Sequence, residues 1–68
     1  MQVYQRLKEL RLEKGLSQSE LAKGIGMTQQ QYARYEIGDR KIPLEHFIVL
    51  AKFYGVSLDY LAGLSDQR

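Results

Sequence analysis

A chain of 68 residues with 44% hydrophobic content has room for one small domain, and a domain of that size buries only roughly 60% of its unfolded surface. It contains no cysteine and one histidine, which rules out a disulfide framework and a histidine or cysteine metal centre. The net charge of +2 is unevenly placed: residues 1–41 hold eight Lys/Arg and five Asp/Glu, whereas residues 42–68 hold two and three, so the first part of the chain is the better surface for a polyanion. No stretch is long enough to span a membrane, and the N-terminus lacks the apolar run of a secretory signal. A cytoplasmic location is therefore expected. Met1 fits either a complete small protein or the N-terminal domain of a longer one.

Five helical segments follow in order. The first runs from about Val3 to Lys14, with Val3, Leu7 and Leu10 recurring at helical spacing and Gly15 just past its end. The second starts at Ser17, where Ser17-Gln18-Ser19-Glu20 has the form of a capping box. Leu21, Ala22 and Ile25 make its inner face, and Gly24 or Gly26 stops it. The third starts at Thr28, with Gln31 in the reaching-back position of a second capping box. Tyr32 and Tyr35 share one side, and Gly38 closes the segment. The fourth begins near Pro43, a residue tolerated in a first turn. Leu44, Phe47, Ile48, Ala51 and Tyr54 form its apolar stripe, and Gly55 ends it. The fifth is short, capped by Ser57 and running through Leu58, Asp59, Tyr60 and Leu61. Residues 65–68 are expected to fray.

These segments predict an all-α fold, a compact five-helix bundle over residues 1–64 with a tail at 65–68. Only Gly26 and Met27 separate Ile25 from Thr28. So short a link makes the second and third helices cross steeply, which is the geometry of a helix-turn-helix. The motif spans 18–37 and its second helix 29–37. Leu21, Ile25, Met27, Tyr32 and Tyr35 fall at inward positions. Ala22 falls where the two helices come closest, and Gly26 where the backbone needs a positive φ.

The stretch from Leu16 to Gly38, LSQSELAKGIGMTQQQYARYEIG, resembles the phage-repressor and Cro family of helix-turn-helix proteins, also called Xre-like. The similarity extends from Leu7 to about Leu61, where Val56-Ser-Leu-Asp-Tyr-Leu61 is similar to the family's fifth helix. The resemblance implies that the third helix lies in the major groove of duplex DNA with its N-terminal side chains on base edges. Gln29, Gln30 and Arg34 match base-reading positions; glutamine suits adenine N6 and N7, and arginine suits guanine O6 and N7 or a phosphate. Gln31, Ser17 and Gln18 match phosphate-facing positions, and Arg40 and Lys41 would meet the opposite strand's phosphates. Glu36 stands near a helix C-terminus, where the dipole disfavours a carboxylate; by resemblance its partner is Arg11. Two positions depart from the family pattern. Ile37 stands where relatives often carry a polar, phosphate-facing residue, and Ile42-Pro43 enters the fourth helix in its own way.

The blander readings differ residue by residue. The glutamine run alone would be a solvated helix face. Tyr32, Tyr35 and Tyr54 read as core rather than as base-stacking platforms, and His46 as a surface residue. The acidic residues form no cluster, and no nucleophile–base pair or phosphate-cradling loop is present, so the chain reads as no enzyme and needs no cofactor. The expected function is sequence-specific transcriptional regulation, as a small repressor. It would bind as a homodimer to a near-palindromic operator with half-sites about one DNA turn apart, with Leu58, Leu61 and Leu64 as dimer contacts. The alternative is an antitoxin or adaptor acting through a protein partner, a role for which aromatic and aliphatic anchors would be the sign.

Overall fold

The computed structural model describes residues 3–68, with side chains described from Gln5 onward. Five helices follow one another among the described residues: α1 (Val3–Glu13), α2 (Gln18–Gly24), α3 (Gln29–Ile37), α4 (Leu44–Tyr54) and α5 (Leu58–Leu61). No strand occurs among the described residues, and the fold is all-α. The place of Val3 on the first apolar stripe lies outside the described side chains.

Local chemistry sets the boundaries. Ser17, Thr28 and Ser57 take extended backbone angles at the starts of α2, α3 and α5, and each hydroxyl accepts a first-turn amide. Such caps are worth about 1 kcal/mol each. The Ser17 cap is reciprocal, because Glu20 Oε1 accepts from Ser17 N at 2.9 Å. The predicted second box is made only by half. Thr28 Oγ1 accepts from Gln31 N at 3.1 Å, and the cap carries no return bond from the Gln31 side chain. Pro43 is the cap residue of α4 rather than a first-turn residue, and contributes no side-chain bond.

The first four helices end in the same way. Leu16 N, Met27 N, Asp39 N and Val56 N each donate to the carbonyl five residues back, those of Arg11, Ala22, Arg34 and Ala51. This is the Schellman closure, in which the residue just past the helix turns left-handed. It matters most at Gly26, whose φ of 75° lets the chain leave α2 and enter α3 within one short turn.

The core is built from Leu7, Leu10, Leu21, Ala22, Tyr32, Tyr35, Leu50, Ala51, Tyr54 and Leu61, with Leu16, Ile25, Met27, Phe47 and Phe53 packed around it. α3 packs on α2 and α1, while α5 packs on α4 and α1. Two sequence expectations fail here. The buried side of α4 is Leu50, Ala51 and Tyr54, whereas Leu44 and Ile48, expected on the inner stripe, are exposed. The tail, expected to fray, is docked on the rest of the molecule. Arg6 donates to the carbonyls of Tyr60 and Ser65 and pairs with Asp66, Ser57 N donates to Arg68 O at 2.9 Å, and Arg68 pairs with Glu13.

Candidate nucleic-acid interface

The helix-turn-helix presents α3 to solvent along one side and ties it to the core along the other. Tyr32, Tyr35 and Glu36 are buried. Gln29, Gln30, Gln31, Arg34 and Ile37 are exposed, as are Ser17, Arg40 and Lys41. The exposed set is amides, a hydroxyl and cations, with one apolar member, Ile37, at 73% exposure. Gln30, Gln31, Arg34 and Arg40 line one cleft together with Thr28 and Tyr35. Gln29 and Lys41 lie outside it.

The inner attachment is a buried ion pair. Arg11 Nε and Nη2 donate to the two carboxylate oxygens of Glu36 at 3.0 and 2.9 Å, a parallel fork of the strong, orienting kind. A third donor, Nη1, reaches the Leu16 carbonyl at 2.9 Å, so one guanidinium joins α1, the entry to α2, and α3. Burial alone would raise the pKa of Glu36. The Arg11 fork, aided by Gln18, overrides this and holds the carboxylate below its ordinary value, while the same fork raises Arg11. A negative charge in the last turn of α3 is thus kept despite the helix dipole.

Gln18 was expected to face phosphate. It is half-buried, and its Nε2 donates to Glu36 Oε1 at 3.3 Å, so one of its two amide hydrogens serves the ion pair. Leu61 is fully buried and belongs to the core. It is not available as a dimer contact, whereas Leu58 and Leu64 stay exposed at 39% and 80%. His46 is half-buried, not a free surface residue: its Nδ1 and the Tyr35 hydroxyl are 2.8 Å apart. Sequence reasoning missed this contact. The two residues sit on different helices, and no short-range pattern links them.

Comparison with known proteins identifies the family. A family profile described as helix-turn-helix matches residues 7–61. The chain belongs to the repressor- and Cro-like helix-turn-helix family. Among similar helix-turn-helix proteins is the uncharacterized transcriptional regulator YobD of Bacillus subtilis, 42% identical over 63 residues that cover 93% of this chain and 56% of the relative. The cryptic phage CTXphi transcriptional repressor RstR of Vibrio cholerae is 41% identical, over 93% of this chain and 57% of its own length. The regulator AnsR of Bacillus subtilis is 36% identical, over 93% and 54%. The helix-turn-helix chain therefore spans a little over half the length of these relatives. No described helix is long and apolar enough to cross a membrane, and no group of three or more potential metal ligands occurs among the described residues.

Proposed function

We propose that this helix-turn-helix unit binds duplex DNA sequence-specifically and regulates transcription, acting as a repressor. The carrying observation is α3. Its first turn is capped from outside by Thr28, its amide side chains Gln29 and Gln30 are exposed, and exposed cations Arg34, Arg40 and Lys41 stand beside it. A glutamine amide holds a donor next to an acceptor and matches adenine N6 and N7 in the major groove. Ser17, Gln18, Gln31, Arg40 and Lys41 serve as phosphate contacts, which fix register without reading sequence. The similarity to YobD, RstR and AnsR, named as transcriptional regulators or a transcriptional repressor, supports the same reading.

One α3 covers only a few base pairs, so two copies on a near-palindromic operator, spaced by about 34 Å or one DNA turn, give useful affinity. Leu58 and Leu64 are the exposed apolar residues proposed for that dimer. The test is selection of bound duplexes from a random pool, followed by salt titration of two variants. Arg40→Ala should weaken binding to every duplex and lower the salt slope by about one unit. Gln29→Ala should mainly relax base preference at one position. Failure of the wild-type chain to enrich any duplex at low salt, or an equal and sequence-blind loss in both variants, would sink the proposal.

A further inference from the structure

Arg34 matches a base-reading position of the family, yet its surroundings suit another role. It lines a cleft of about 330 Å³ with Thr28, Gln30, Gln31, Tyr35 and Arg40. The two guanidiniums come from different elements, Arg34 from the last turns of α3 and Arg40 from the loop beyond it. The helix closure brings them to one place. Asp39 N donates to the Arg34 carbonyl at 2.9 Å and Gly38 N to the Tyr35 carbonyl at 3.2 Å, so the loop folds back over the turn that carries Arg34. The cleft wall is fixed as well, because the Tyr35 ring is buried and its hydroxyl is held by His46.

The lining is one-sided. The cleft is lined by two arginines, two glutamines, a threonine and a tyrosine, and by no acidic residue. Neither Arg34 nor Arg40 makes an ion pair with a carboxylate among the described residues. Two arginines without a carboxylate partner that line one cleft repel each other less once an anion lies between them. Shape points the same way. Base edges form the floor of a major groove about 8.5 Å deep and are reached by side chains that project, whereas a phosphate stands out from the DNA surface and fits a concavity. A phosphodiester has two unbridged oxygens, and planar guanidinium forks suit them.

We infer that this cleft seats a single phosphodiester of the DNA backbone, gripped jointly by Arg34 and Arg40, and that Arg34 is a backbone contact rather than a base reader. The inference rests on the DNA-binding reading above and deepens it. Gln29, outside the cleft, is left as the principal reader at the start of α3, while Gln30 is among the residues that line the cleft.

The experiment uses the full chain and the strongest duplex enriched from a random pool. A panel of duplexes carries one neutral methylphosphonate each, at successive backbone positions. One position should cost the wild type about tenfold in affinity, the size of one lost charged contact. At that same position the substitution should cost Arg34→Ala and Arg40→Ala almost nothing further, and both variants should select the same bases as the wild type. Insensitivity at two different positions, or a changed base preference in Arg34→Ala, would overturn the shared seat while leaving DNA binding intact. A wild-type chain that enriches no duplex would refute the DNA reading itself. Inorganic phosphate, added at constant ionic strength, should compete no better than sulfate. Strong competition specific to phosphate would assign the cleft to a free anion instead.

Discussion

Two arginines of one helix hold the two ends of this molecule by different physics. Arg11 ties α1 to α3, and Arg6 ties it to α5 and the tail; each side chain is only 11% exposed. Their carboxylate partners differ. Glu36 is 4% exposed, whereas Asp66 is fully exposed. Arg6 therefore satisfies itself mainly on the carbonyls of Tyr60 and Ser65 and on the Tyr60 ring, 4.2 Å from its guanidinium carbon. The lesson is that an ion pair matters to the fold in proportion to what is stranded when one partner leaves. Removal of Glu36 strands a buried cation, while removal of Asp66 strands nothing.

The largest effect is expected at the α3 end. Glu36→Ala should cost about 3 kcal/mol, because it leaves the Arg11 guanidinium buried without its charge partner. Replacing both partners with apolar residues, Arg11→Met with Glu36→Met, should recover most of that loss, since two matched apolar side chains can replace a buried pair. Urea unfolding of Arg11→Met, Glu36→Met and the double variant gives the coupling directly. Losses that simply add would show that the fork does not act as a unit.

Acid should reveal the same asymmetry. Glu36 is held below its ordinary value mainly by Arg11, and Glu20 by the Ser17 amide. A carboxylate with a lowered folded pKa contributes stability above its unfolded pKa and loses it as pH falls through the folded pKa. Stability should thus be flat in neutral solution and fall once pH drops below about 4.5, the ordinary glutamate value. Glu36→Gln should flatten that acid limb more than Glu13→Gln, because Glu13, though also lowered by Arg68, is part of an exposed and screened pair. Unfolding midpoints measured from pH 7 downward decide between them, and equal flattening would erase the distinction between the two ends.

Arg6→Met should come next, at about 1.5 kcal/mol, the usual worth of a charged donor to main-chain carbonyls. Methionine keeps much of the apolar stem, so the loss reports the guanidinium bonds and not packing. Amide exchange should accelerate at Ser57, whose N–H is held by the Arg68 carbonyl, and remain unchanged in α3. Uniform acceleration through both regions would mean that Arg6 acts globally and that the two ends are not separate.

This contrast also explains what could be read from the sequence. Helix starts and stops were legible, because Ser17, Thr28, Ser57 and the glycines act through neighbours within a few positions. The all-α fold and the outward display of Gln29, Gln30 and Arg34 followed from those limits. The inner side of α4 was only partly legible: Phe47, Ala51 and Tyr54 were placed on it correctly, while Leu44 and Ile48 were wrongly included and Leu50 was missed. LEHFIVLAKFY is apolar almost all round, so a stripe that takes in Leu44 and Ile48 and one that takes in Leu50 both satisfy a helical period beside Ala51 and Tyr54; only tertiary packing, that against α5 included, chooses. Leu61 was misplaced for the same reason, since a four-residue helix has too few turns to show a face. The Arg11–Glu36 fork came from family resemblance, not from spacing, because 25 residues separate the partners. The docking of the tail left no signal at all. Arg6 binds main-chain carbonyls, which every residue carries, and the Arg34–Arg40 cleft exists only once the loop has closed on the end of α3.

The smallest effect is the sharpest test of the comparison. Asp66→Asn removes the carboxylate partner of Arg6 and leaves every carbonyl bond of that arginine in place. With Asp66 fully exposed, the attraction is screened by water and offset by side-chain entropy, so a loss well below that of Arg6→Met is expected. High salt should make even this difference vanish, while leaving the Glu36→Ala deficit nearly untouched, because buried pairs are screened far less. If Asp66→Asn instead matched Arg6→Met in cost, the tail would be held by charge rather than by the geometry of main-chain carbonyls. The two ends of α1 would then obey one rule and not two.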